Sequence, residues 1–480
     1  MAQNSEGQPL HSPPSLPVIN YEHSMKNALS LLKTSFYFIK SGYAEAFRLA
    51  RHPREGLKSL YGVSLYRNAV YLMVGTAVAS ITGFVFWIIA ARLYPVEAVG
   101  LGSAIISALG LLAIFSELGL GIGLIRFLPG AGKDGNDMVN SCFTVNGLAS
   151  IALALIFLAG LHFWSPALLV VRQHPIFFTA FVVFAVATAL QPLVSNVFLA
   201  KLNTKFIVIK NVITGSLKIA LVLVFAMFFT NAFGVFVSTG LAMAVALLFA
   251  AFWFLPKVQN GYRPFPKIEI RVLNELSHYA AGNYVARILL LMTPLVLPLV
   301  VLNILGAEMN AYFYIAWTVA VVFQVIPSSI FNSLFAEGSN DEASIQTNTA
   351  KSLKFTFLLL LPLTLLILII AEKLLLLFGQ AYADNAVLLL RIVVVAVIPW
   401  GINYLYVSIE RVRKNIKGII TVTAVATGLS LGLSYVLMLK MGLVGVGIGY
   451  VAGQTIVAIA VVIHLWRRYH PRVKVPGKEG

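Results

Sequence analysis

Cysteine occurs once in these 480 residues, at Cys142, and charged residues make up only 11% of the chain. A lone thiol excludes an intramolecular disulfide and a cysteine-based zinc site. Soluble domains carry about 25% charged residues, so the shortage of charge excludes the soluble classes. Acidic residues are the scarcer sign, 18 against 35 Lys and Arg, for a formal net charge of +17. Walker A and strand-following glycine-rich motifs are both missing, which argues against an ATP-driven pump and a dinucleotide enzyme. No cofactor and no metal is expected.

What the chain does have is apolar length. Hydrophobic residues reach 59%, gathered into runs of roughly twenty or more, long enough to cross a bilayer as helices. Twelve spans are read, at 68–93, 98–127, 139–163, 175–199, 206–230, 232–255, 278–303, 307–335, 353–371, 385–409, 416–439 and 443–466. The expected fold class is all-α, a polytopic membrane protein.

The excess of basic residues sits in alternate gaps between spans, and only Arg92, Arg172, Lys373 and Lys440 fall on the opposite side. The positive-inside rule then predicts cytoplasmic termini and a multi-pass protein of the cell membrane. Charge placed this way faces lipid headgroups, so membrane lipids are expected partners and nucleic acid is not. Residues 1–24 are polar, with Pro13, Pro14 and Pro17, and lack a signal-peptide pattern. In 25–60, Leu29, Leu32, Phe36 and Ile39 interleave with Lys26, Lys33, Lys40 and Arg48. That pattern fits an amphipathic helix on the anionic leaflet, or a basic tail.

The longest polar gap, 256–277, separates six spans from six. At an offset of 211 residues Glu97 meets Glu308, and Gly234-Val235 meets Gly445-Val446. The expected organisation is an extension over 1–67, an N-lobe over 68–255, a cytoplasmic linker over 256–277, a C-lobe over 278–466 and a basic tail over 467–480. An even number of spans per lobe makes the repeats parallel.

Ionisable groups inside spans are costly unless they face protein or a water-filled cavity. In span 2, Ser103, Ser107, Gly110, Ile114, Glu117 and Gly121 share one helix face. That face suits a packing seam or a cavity wall, and Glu117 is the one deep carboxylate to nominate for ion coupling. Span 5 carries Asn211, Thr214 and Lys218, span 7 carries Asn283 and Arg287 one turn apart, Arg391 lies in span 10 and Arg92 ends span 1. Arg287, Arg92, Lys218 and Arg391, with Asn283 and Asn211, are the candidates for a cationic lumen. Arginine pairs bidentately with phosphate or carboxylate, so the ligand expected is an anion. Pro192, Pro294, Pro298, Pro327, Pro362 and Pro399 each remove a backbone bond, and a bend is expected in the middle of span 7.

Between spans 1 and 2 stands Ala91-Arg92-Leu93-Tyr94-Pro95, followed by Val99-Gly100-Leu101, and span 2 closes with Ile125-Arg126-Phe127-Leu128-Pro129. This stretch resembles the Wzx-like polysaccharide flippases, the O-antigen and teichoic-acid transporters of the multidrug/oligosaccharidyl-lipid/polysaccharide superfamily. The likeness extends over about 65–470. It implies a V-shaped, two-lobed transporter that moves a lipid-linked glycan, on a polyprenyl phosphate or diphosphate, from the cytoplasmic to the outer leaflet. It also implies glycosyltransferase or polymerase partners. Arg92 matches the basic residue that such proteins keep at the end of span 1.

Three rival classes fit the residues less well. A cation-coupled multidrug exporter of the same fold typically places a carboxylate in span 1, where none occurs. A major-facilitator transporter needs a glycine-and-basic loop after span 2, which 129–137 matches poorly. A membrane glycosyltransferase or polymerase needs a sizeable outward loop with catalytic groups, and the longest, 372–384, offers only Glu372, Lys373 and Asp384.

Overall fold

The computed structural model describes residues 64–340 and 345–469, and helix dominates them, with no strand among the described residues. The chain divides into two compact units, Met1–Arg67 and Asn68–Gly480, and the fold below is that of the second. The segment 25–60 and the tail beyond 469 lie outside the described residues.

Ten segments are long and apolar enough to cross a bilayer, and Ala307–Val322 with Val325–Phe335 form an eleventh, bent by 40°. The twelfth is contained in Ile416–Arg468, a run of 53 residues. A straight helix of that length would extend roughly 80 Å, far beyond a hydrocarbon core of about 30 Å. Gly442 breaks it, with φ 58° and ψ −138°, a conformation that glycine adopts without a Cβ penalty. Beyond the break, Gly445, Gly449 and Gly453 press on the backbone at Leu437, Ser434 and Ser430. The partner numbers fall as the glycine numbers rise, which defines an antiparallel hairpin of spans 11 and 12. Small residues let helix backbones approach closely in lipid, where no hydrophobic force drives helices together. Ser434 Oγ donates to the Val446 carbonyl at 2.9 Å, and Gln454 Nε2 to Ser430 Oγ at 3.1 Å, tying the seam.

Proline explains two interruptions. Its ring collides with the carbonyl four residues earlier. Span 8 breaks after Val322, four to five residues before Pro327, and span 10 breaks at Ala396, just before Pro399. The expected mid-span bend in span 7 does not take the form of a break: Ile270–Leu305 runs through Pro294 and Pro298 as one helix. Pro192 and Pro362 likewise lie inside continuous helices.

Six spans make up each lobe, and equivalent bonds hold equivalent spans. In the N-lobe, Gln191 Nε2 of span 4 donates to the Met243 carbonyl of span 6 at 2.8 Å. In the C-lobe, Asn403 Nδ2 of span 10 donates to the Gln454 carbonyl of span 12 at 3.0 Å. These positions are separated by the repeat offset to within one residue. Across the half of the membrane where span 1 ends, the lobes share a core in which Phe86, Trp87 and Tyr94 join Tyr312, Trp317, Phe378 and Tyr382. Gly100 of span 2 lies there against the backbone of Ala307 and Ala311 in span 8, and Asn310 Nδ2 donates to the Gly100 carbonyl at 2.7 Å. Gly100 and Ala311 are themselves offset by 211, so the pseudo-two-fold axis passes between them. This shared core is the apex of the V.

On the opposite side, span 6 continues to Val258 and span 7 begins at Ile270, so the connection is shorter than the 256–277 expected. It is strapped along span 3. Asn140 Nδ2 donates to the Arg263 carbonyl at 3.0 Å, and the Lys267 and Glu269 amides donate to Thr144 Oγ1 and Ser141 Oγ, each at 3.1 Å. Lys267 also pairs with Asp137 at 2.6 Å, a bond that raises the ammonium above its ordinary range. The ammonium therefore stays charged at neutral pH, and its contribution is lost as pH rises through that raised value.

Candidate functional site

Span 2 is not the single helix read over 98–127. Val96–Ser116 ends at Glu117, and a new helix starts at Leu120. Between them Leu118 has φ 51° and Gly119 φ 76°. The left-handed region costs a residue with a Cβ about 1–2 kcal/mol, so Leu118 is a strained residue that the surroundings must hold. The break strands carbonyls at the end of the first helix. Tyr284 of span 7 satisfies them, its hydroxyl donating to the Phe115 carbonyl at 2.8 Å and to that of Ile114 at 3.3 Å.

Glu117 sits at this break with 3% of its side chain exposed, and Arg287 Nη1 of span 7 donates to its Oε1 at 2.6 Å. Gly121 leaves room for the carboxylate, because a Cβ there would overlap Glu117 Oε1 and Asn196 Nδ2. The pair joins the N-lobe to the C-lobe. Arg287 keeps 35% of its side chain exposed, so its remaining N–H donors stay open to a ligand.

That exposed side lines a cavity of about 440 Å³ within the C-lobe. Spans 7, 8, 10, 11 and 12 enclose it, with Trp317, Trp400, Tyr404 and Tyr450 as aromatic walls and Gln324, Asn403 and Gln454 as amides. Trp400 stacks on Tyr404 with ring centroids 5.1 Å apart, and Trp317 meets Tyr450 edge-on at 4.7 Å. Asn403 Nδ2 also reaches Gln454 Oε1 at 2.9 Å. The lining contains no carboxylate.

The other candidates go elsewhere. Asn283, one turn before Arg287, is exposed. Lys218 lies 3.9 Å from the centroid of the Phe86 ring and 5.7 Å from that of Trp87, a cation–π arrangement on span 1. Asn211 Nδ2 donates to the Gly75 carbonyl at 3.0 Å, pinning span 5 to span 1. Arg92 donates through Nε to the Leu377 carbonyl at 2.9 Å and through Nη2 to that of Leu376, joining the lobes at the apex side. Arg391 is exposed and donates to the Leu368 carbonyl of span 9 at 3.0 Å. Of the four cations nominated for a shared lumen, only Arg287 lines the cavity.

Sequence reasoning missed the aromatic and amide walls, and it missed Lys210. This buried lysine of span 5 donates to Gln191 Oε1 and Ser195 Oγ, each at 2.7 Å. The available signal was an amide amid apolar residues, Asn403 in span 10 and Gln454 in span 12, since polar groups within spans are expensive.

A family profile described as polysaccharide biosynthesis protein matches residues 89–387. A second, described as lipid II flippase MurJ, matches 309–480. No curated protein sequence matches the chain. Among solved structures, an inward-facing multidrug resistance MATE family transporter of the MOP superfamily is similar at TM-score 0.65 and 18% identity, covering 84% of this chain and 98% of that one. An outward-facing MATE structure gives TM-score 0.59 and 19% identity, covering 85% and 95%. At such identity the likeness concerns the fold.

Proposed function

This chain belongs to the polysaccharide biosynthesis protein family, and from that premise we propose that it flips a lipid-linked oligosaccharide from the cytoplasmic to the outer leaflet. The observation that carries the reading is Arg287, held by Glu117 at the lobe interface while facing a cavity without carboxylates. Glu117 engages one nitrogen of the guanidinium. The remaining donors suit the paired oxygens of a phosphate or diphosphate. The polyprenyl tail stays in the bilayer, and the head group enters beside span 7. Ion entry acts at Glu117: protonation cancels the attraction that holds the lobes together at this point. The protein lies in the cell membrane with both termini cytoplasmic, and its substrate comes from glycosyltransferases on that side.

A cation-coupled drug exporter is the second reading, supported by the MATE-like fold. It would draw on Glu117, which is buried and already engaged by Arg287. The two readings separate in a deletion strain complemented with wild type or Arg287→Ala, assayed for lipid-linked glycan on each leaflet. Wild type should move the glycan outward, and Arg287→Ala should leave it inside despite normal insertion. An unchanged leaflet distribution with reduced efflux of a cationic dye would establish the exporter instead.

A further inference from the structure

We propose that the C-lobe cavity is a saccharide-binding pocket, which receives the first sugar of the head group while Arg287 holds the phosphate. This rests on the flippase reading above and adds to it a site and a ligand chemistry. Its volume of about 440 Å³ lies within the 300–1,000 Å³ typical of ligand pockets.

The walls have the chemistry of sugar recognition. A pyranose presents apolar C–H faces and a rim of hydroxyls that both donate and accept. Trp400, Tyr404, Trp317 and Tyr450 supply flat apolar surfaces, and the amides of Asn403 and Gln454 supply donors and acceptors.

Two lining residues carry buried polar atoms left without a hydrogen-bond partner: Trp317 Nε1, a donor, and Asn403 Oδ1, an acceptor. Trp317 is 5% exposed and Asn403 6%. Buried polar groups are nearly always paired, and an orphaned one costs about 1–3 kcal/mol. Each atom has under 1 Å² of exposed surface, so a turn of the side chain on binding presents this donor and this acceptor to a hydroxyl-bearing ligand. A lipophilic cation offers no acceptor for the indole N–H, and the lining has no carboxylate to meet its charge.

The test is equilibrium binding of two radiolabelled probes to the full chain in nanodiscs: farnesyl diphosphate, and farnesyl diphosphate bearing N-acetylglucosamine. Wild type should bind the sugar-bearing probe about tenfold more tightly, the scale of a hydrogen bond or two. Trp317→Phe, which keeps the ring and removes only the N–H, should erase most of that advantage and leave farnesyl diphosphate binding unchanged. Arg287→Gln should weaken both probes. Equal affinity of wild type for the two probes overturns the pocket, as does full retention of the advantage in Trp317→Phe. In either case, Arg287-dependent binding of farnesyl diphosphate would leave the flippase reading standing. Failure of both probes to bind, with saturable binding of tetraphenylphosphonium, removes both.

Discussion

Glu117 and Arg287 show how much one pair of side chains is asked to do. Removing one partner of a buried pair leaves a charge without compensation, which costs about 3–5 kcal/mol; the partial exposure of Arg287 puts this pair at the lower end. Glu117→Gln is expected to lower the thermal unfolding midpoint by several degrees. The double variant Glu117→Gln with Arg287→Gln should recover most of that stability and none of the transport, as read by thermal unfolding and the leaflet assay. Gly121→Ala adds a Cβ where the Glu117 carboxylate lies and should reduce transport while leaving the protein folded. Both charges are legible in the chain as deep ionisables, but their pairing is not, because 170 residues separate them. The other cations are less legible still. Long side chains satisfy themselves nearby, Lys218 on a ring and Arg391 on a carbonyl, and nothing in the chain announces which acceptor is in reach. Trp317 and Tyr450 read as ordinary apolar-span residues until their neighbours are known.

At the level of helices, the apolar runs reveal the spans, and proline locates breaks that hydropathy passes over. The break in span 2 escapes both signals: no proline stands near Glu117, and the apolar pattern continues through it. Glycines divide into two groups by what lies opposite them. At Gly449 an added Cβ would overlap the backbone of Ser434, which cannot yield, whereas at Gly428 and Gly432 nothing lies within 4 Å. Gly449→Leu should therefore abolish recovery of monodisperse protein. Gly432→Ala should be tolerated and add up to about 1 kcal/mol through helix propensity. Size-exclusion chromatography with thermal unfolding checks both.

For the whole molecule, the half-chain repeat read from Glu97 and Glu308 reappears in matched bonds, at Gln191 to Met243 and at Asn403 to Gln454. Under the flippase reading, alternating access requires the lobes to part on the side of the Gly100 contact with Ala307 where Arg92 holds the carbonyls of Leu376 and Leu377. Cysteines at Arg92 and Leu377, with Cys142→Ser, should allow a thiol-cleavable cross-linker to arrest transport, and reductant should restore it. Transport that continues with the cross-link complete would show that the lobes need not separate there.

The bare contact of Gly100 with Ala307 and Ala311 has a mechanical consequence. Backbone meets backbone there, with Asn310 bonded to the Gly100 carbonyl, and under the flippase reading this contact is the fulcrum on which one lobe tilts against the other. Glu117 stands 17 residues further along the chain, a lever arm of roughly 25 Å at 1.5 Å per residue. A small tilt at the fulcrum is magnified by that arm, so Glu117 and the helix of Leu120–Phe127 beyond it would travel further than the contact itself.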